Sequence, residues 1–155
     1  MWFALLAGVA CAQPPNVMLL MPDQWRYDWD GFYQPVLDAA RILSMQALVR
    51  EVPVSSDLLR LVASLVRATH PDHPGSPESV KRLVRFGSSP RGGQALVLAS
   101  KARALVEGRL HVTAEDIAAL AAPVLRHRLI PSYEGEAARS DPDDLVRDAL
   151  AAVQA

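Results

Sequence analysis

From Leu37 onward, apolar residues return every three or four positions, the spacing that gives a helix one buried face. Leu37, Ile42, Leu43, Leu48, Val49 and Val52 form the first stripe, and Pro53 ends it because proline has no N–H for the helical ladder. Leu58, Leu59, Leu61, Val62, Leu65 and Val66 form the second, opened by Ser55 or Ser56 as a cap. Three prolines and a glycine between His70 and Pro77 predict a loop. Ser76-Pro77-Glu78-Ser79 then predicts a short helix to about Phe86, stopped by Gly87. Ser89 and Pro90 open a longer helix that runs to Glu107, with Gly108 as its C-terminal cap. Leu110 to Val112 reads as an extended link. Thr113-Ala114-Glu115-Asp116 caps a helix predicted through Leu129 and interrupted at Pro123. Residues 133–139 read as loop, and Ser140-Asp141-Pro142-Asp143 starts a final helix. About six helices with short connections predict an all-α fold, a helical bundle. Some 120 residues can bury nearly two thirds of their unfolded surface, enough to fold alone.

The first 33 residues follow a different pattern. Trp2, Phe3, Trp25, Tyr27, Trp29, Phe32 and Tyr33 lie there, whereas Phe86 and Tyr133 are the two aromatics beyond. One evolved core usually spreads its rings more evenly, because rings supply much of the buried area. The expected organisation is therefore an N-terminal appendage over residues 1–33 and a helical domain over 34–155. Trp2 to Ala12 is apolar and ends in Ala10-Cys11-Ala12, a small-x-small pattern like a signal-peptidase site. Lys and Arg are absent before Arg26, so the basic start of a secretory signal is missing and a cytoplasmic location is expected. Val17 to Met21 is a short apolar run bounded by Pro15 and Pro22, which suits an extended strand followed by the acid Asp23.

Composition narrows the function classes. Half of the 155 residues are hydrophobic and 21% are charged, as in globular domains. Sixteen basic against 17 acidic residues leave a net charge of −1, without the basic excess that nucleic-acid binding needs. Cys11 is the single cysteine and cannot form an internal disulfide. No apolar stretch reaches the roughly 18 residues of a membrane span.

Candidate chemistry concentrates at a few positions. Ser89 and Pro90 place Arg91 in the first turn of a helix, where free N–H groups and the positive dipole end favour an anion. The guanidinium adds a fork of donors suited to phosphate, although the local sequence fits a solvated surface arginine equally. His70 and His73 have metal-like spacing, but the prolines around them favour a plain turn. His127, between Arg126 and Arg128, could meet phosphate or a neighbouring subunit, or stand at a solvated helix end. Glu134, Glu136, Asp141, Asp143 and Asp144 form an acidic stretch that could meet a basic partner or face water. A phosphate-cradling loop would need Gly-x-x-x-x-Gly-Lys-Ser/Thr, and neither Lys81 nor Lys101 stands in that context.

Two resemblances emerge. Pro14-Pro15-Asn16-Val17, the apolar run, Asp23 and Gln24-Trp25-Arg26 resemble the opening of the sulfatase family. That resemblance implies a divalent-metal role for Asp23. It covers about 20 residues, and Ser88-Ser89-Pro90-Arg91 has the wrong spacing for the family's formylglycine motif. Arg67-Ala68-Thr69-His70-Pro71, Phe86-Gly87-Ser88-Ser89-Pro90-Arg91, Gln94-Ala95-Leu96, Lys101-Ala102-Arg103-Ala104, Val112-Thr113 with Glu115-Asp116-Ile117, and Pro123-Val124-Leu125-Arg126-His127-Arg128 occur in this order. Over residues 36–153 they resemble the C-terminal helical lid of MoxR-type AAA+ ATPases. The resemblance implies a sensor-2 role for Arg91 and a lid that is non-catalytic without an ATP-binding core. ATP and magnesium enter only with an AAA+ core supplied in trans, and the implied partners are such a core or a homo-oligomeric ring. Gly92-Gly93 replaces the alanines usual after that arginine. Each glycine costs about 1 kcal/mol in a helix relative to alanine, so a looser helix start is expected.

Overall fold

The computed structural model describes residues 39–154. The sulfatase-like segment with Asp23, Cys11, the signal-like run and the boundary near Tyr33 lie outside the described residues. The helical body comprises seven α-helices and one two-stranded antiparallel sheet.

Helix α1 (Ala39–Glu51) buries none of its side chains, and its chain reaches the core only at Val52, just beyond its end. Ser55 opens α2 (Ser56–Ala68), its Oγ accepting the Leu58 N–H at 3.3 Å. The α2 stripe turns Val62, Leu65, Val66 and Ala68 inward. Helix α3 (Glu78–Leu83) is shorter than its sequence pattern suggested, because Val84–Phe86 leaves the helix as strand β1. A β-branched residue and an aromatic favour an extended backbone once a partner is present. That partner is strand β2 (Ile130–Pro131), paired as Val84 with Pro131 and Phe86 with Ile130.

Helix α4 (Pro90–Val106) packs against α1, α2 and α5. Its end is closed by two N–H groups that turn back: Gly108, at φ 73°, donates to Leu105 O at 3.0 Å and Arg109 to Ala104 O at 2.7 Å. This is the glycine-closed C-terminus expected from sequence. Helix α5 (Ala114–Leu125) is not interrupted at Pro123 and does not reach Leu129. Pro123 sits in the last turn, where a missing N–H orphans only one carbonyl, and the chain then tightens into a 3-10 turn, Arg126–Arg128. Residues 133–139, read as loop, contain helix α6 (Tyr133–Ala137). Ser132 makes that short helix possible: its Oγ accepts the Gly135 N–H at 3.1 Å and donates to Arg82 O at 2.8 Å. Helix α7 (Pro142–Gln154) presents Leu145, Val146 and Ala149 to α2 and α5.

The core is a single cluster in which Leu65, Val80, Leu96, Ile117, Leu125 and Val146 are 1% exposed or less. Each such side chain contributes about 1.5–3 kcal/mol of burial. Among the described residues no ring belongs to it: Phe86 is 54% and Tyr133 90% exposed, so aliphatic packing fills this cluster. No helix among the described residues is long and apolar enough to cross a membrane.

Candidate functional site

The segment leading into α4 is held by the chain 18 to 20 residues before it. Thr69, fully buried at the end of α2, donates its Oγ1–H to Val66 O at 2.6 Å and accepts the Ser88 N–H at 2.9 Å. His70 Nε2 lies 2.9 Å from Ser88 O, so both backbone groups of Ser88 are held by adjacent residues of one helix end. Ser76 Oγ donates to His70 O at 2.6 Å and secures the 70–76 loop in turn. Gly87 passes so close that a Cβ there would stand 2.5 Å from the Thr69 carbonyl oxygen. Only glycine lets the two backbones meet at that distance.

Ser89 and Pro90 follow as the N-cap and first position of α4, with no side chain capping the helix start. Arg91 stands in that first turn and is exposed, as the sequence placed it. No carboxylate lies within ion-pairing distance of it among the described residues. The helix start is tightly packed. A Cβ on Gly92 would stand 2.0 Å from Ser88 Oγ and 3.0 Å from Leu125 Cδ2. One on Gly93 would come within 3.3 Å of both Val62 and Val66. The glycines counted against the helix in the sequence are thus places where α4 closes on its neighbours.

Beside this helix start, α1, α2 and α4 enclose an open groove of ≈ 690 Å³. Leu59, Val62, Val66, Val97 and Leu98 form its floor, and Pro90 and Gly93 bring it to the Arg91 turn. Sequence reasoning missed it, because three stripes read singly as core leave Leu59 and Leu98 about half exposed.

A second polar centre lies at the other end of α4. Asp116 is 1% exposed, and Arg109 grips it with two N–H···O bonds of 2.7 and 2.6 Å. The Thr113 N–H adds a third bond at 2.9 Å, completing the helix start expected from Thr113-x-x-Asp116. The Arg109 guanidinium holds the Asp116 carboxyl well below the usual carboxylate range, although burial pushes the other way. Glu107 is lowered by hydrogen bonds from Arg109 and then Arg103. These groups satisfy one another, so the centre is structural.

The remaining candidates resolve into local roles. His70 Nε2 meets a carbonyl and His73 Nδ1 accepts the Gly75 N–H at 3.1 Å, as a turn requires. Among the described residues, no three His, Cys, Asp or Glu side chains form a metal-holding group. His127 is exposed in the 3-10 turn. In the acidic stretch, Glu134 pairs with Arg82 at 3.0 Å, Asp143 with Arg126 at 3.3 Å, and Asp144 with Arg147. Asp141 accepts the Asp143 N–H at 2.9 Å at the start of α7.

Comparison with known proteins agrees with this architecture. Residues 77–149 match the family model of the AAA lid domain, so this part of the helical body is similar to an AAA lid. Chaperone MoxR1 of Mycobacterium tuberculosis is 30% identical over 118 residues, covering 76% of this chain and 31% of the relative. Protein MoxR of Methylorubrum extorquens is 36% identical over 124 residues, covering 79% and 31%. A crystal structure of a candidate ATPase from Cytophaga hutchinsonii superposes with a TM-score of 0.68 at 28% identity, covering 72% of this chain and 34% of that one. The chain thus spans about a third of the length of these relatives.

Proposed function

We propose that this chain is a lid module of a MoxR-like AAA+ ATPase, non-catalytic by itself, which packs on an ATP-binding core. The observation that carries the proposal is the Arg91 turn. An exposed arginine, without a carboxylate partner among the described residues, stands at a helix start that no side chain caps, on a segment clamped from both sides through Ser88. Such a turn offers a phosphate oxygen a fork of donors and the positive end of a 17-residue helix. Magnesium and the phosphate-cradling loop would come from the core; this chain contributes a cation and the surface that places it.

The test is reconstitution. A MoxR-type core deleted of its own lid is mixed with this chain, and binding is followed by sedimentation. We expect a complex that forms more tightly with ATP present; a chain that stays monomeric beside every such core overturns the proposal.

A second reading goes further: the chain completes the ATPase site in trans. The exposure of Arg91 favours it. Hydrolysis by the lid-deleted core should then rise when the chain is added, and Arg91→Ala should remove the gain without weakening the complex more than about tenfold.

A further inference from the structure

The groove between α1, α2 and α4 has a chemistry of its own. Its floor is aliphatic, with Leu59 47% and Leu98 48% exposed, and such contiguous apolar surface is unfavourable to leave in water. Around it stand Arg50, Arg67 and Lys101, one from each helix, and among the described residues no acidic one lines the groove. Lys101 Nζ donates to Arg50 O at 2.8 Å, which adds its charge at the end of α1. Among the described residues none of these three cations has a carboxylate within ion-pairing distance, whereas Arg60, Arg82, Arg103, Arg109, Arg126 and Arg147 each have one. In a chain of net charge −1, this is a local positive excess around an apolar strip.

We propose that this groove docks an amphipathic helix of another protein, its apolar stripe on the floor and its flanking carboxylates on Arg50, Arg67 and Lys101. The walls are helices and offer no strand edge, so the partner's backbone must satisfy itself, as a helix does. Complementary charge then sets register and orientation. Among the described residues no aromatic side chain lines the groove to stack a base, which disfavours nucleic acid.

The probe is a synthetic helical peptide of about 18 residues, with leucines at i, i+3, i+4 and i+7 and glutamates on both flanks. A matched peptide carries lysine in place of each glutamate. Binding of each labelled peptide to the full chain is read by fluorescence anisotropy. The acidic peptide should bind at least about tenfold more tightly than the lysine peptide and weaken with salt. Arg67→Glu and Leu98→Asp, both on exposed or half-exposed positions, should each weaken it about tenfold or more, with melting curves reporting that the variants remain folded. Equal binding of the two peptides, binding of neither, or variants that bind like the parent overturns the proposal. So does a chain whose self-association is abolished by Leu98→Asp and which ignores both peptides: its groove is then filled by a second copy.

Discussion

His70 Nε2 and the carbonyl oxygen of Ser88 lie 2.9 Å apart, joining the end of one helix to the start of another across 18 residues. With the neighbouring bond from Ser88 N–H to Thr69 Oγ1, this contact determines where Arg91 emerges. A residue that looked like half of a metal pair is therefore a brace for the arginine turn.

His70→Ala should lower stability by about 0.5–1.5 kcal/mol, the net value of one partly buried hydrogen bond. Denaturant unfolding followed by circular dichroism measures it. The more telling readout is amide exchange at residues 88–92, which should accelerate more than exchange in the α7 core.

Asp116→Ala removes a buried carboxylate and leaves Arg109 with Glu107 alone. The expected loss is roughly 2–3 kcal/mol, below the cost of breaking a fully buried pair because Arg109 is itself partly solvated.

The pH dependence follows from the same group. Asp116 is held below its unfolded value, so the folded state binds that proton less readily than the unfolded chain does. Its contribution is present above the unfolded carboxylate pKa of about 4 and drains away as pH falls below it. Asp116→Asn should shrink the part of the acid limb below about pH 4, measured as melting temperature against pH.

Gly87→Ala should cost more than about 2 kcal/mol, since its Cβ would overlap the Thr69 backbone and neither element can yield alone. Gly92→Ala improves intrinsic helix propensity by about 1 kcal/mol yet should still destabilise, because the methyl meets Ser88 and Leu125. A stabilised Gly92→Ala variant in thermal melts would show that the helix start is loose after all.

Glu134→Gln should change stability by less than about 1 kcal/mol, because its pair with Arg82 is largely solvated. Raising the salt concentration should erase even that difference in denaturation midpoint.

Much of this fold is written locally. Ser55, Ser89 with Pro90, Thr113 with Asp116, and Gly108 mark helix ends through bonds made within a few residues, and the structure places helix ends at each. Two of the departures share one cause, a partner distant in sequence. Val84–Phe86 becomes a strand because Ile130–Pro131 arrives from 45 residues away, and residues 133–137 become a helix because Ser132 is anchored on the α3 end. Pro123 spares α5 because of where the helix stops.

The candidate site divides along the same line. The order of residues through Ser89, Pro90 and Arg91 sufficed to put an arginine in the first turn of a helix, since proline's fixed φ acts within a single residue. What surrounds that turn was decided only by the tertiary structure. The brace from Thr69 and His70, the close passage of Gly87 and Gly92, and the basic groove beside them each join residues from separate helices. Periodicity tells which face of a helix is apolar. How much of that face its neighbours cover depends on how the helices pack, and here they leave Leu59 and Leu98 half exposed in a groove edged by Arg50, Arg67 and Lys101.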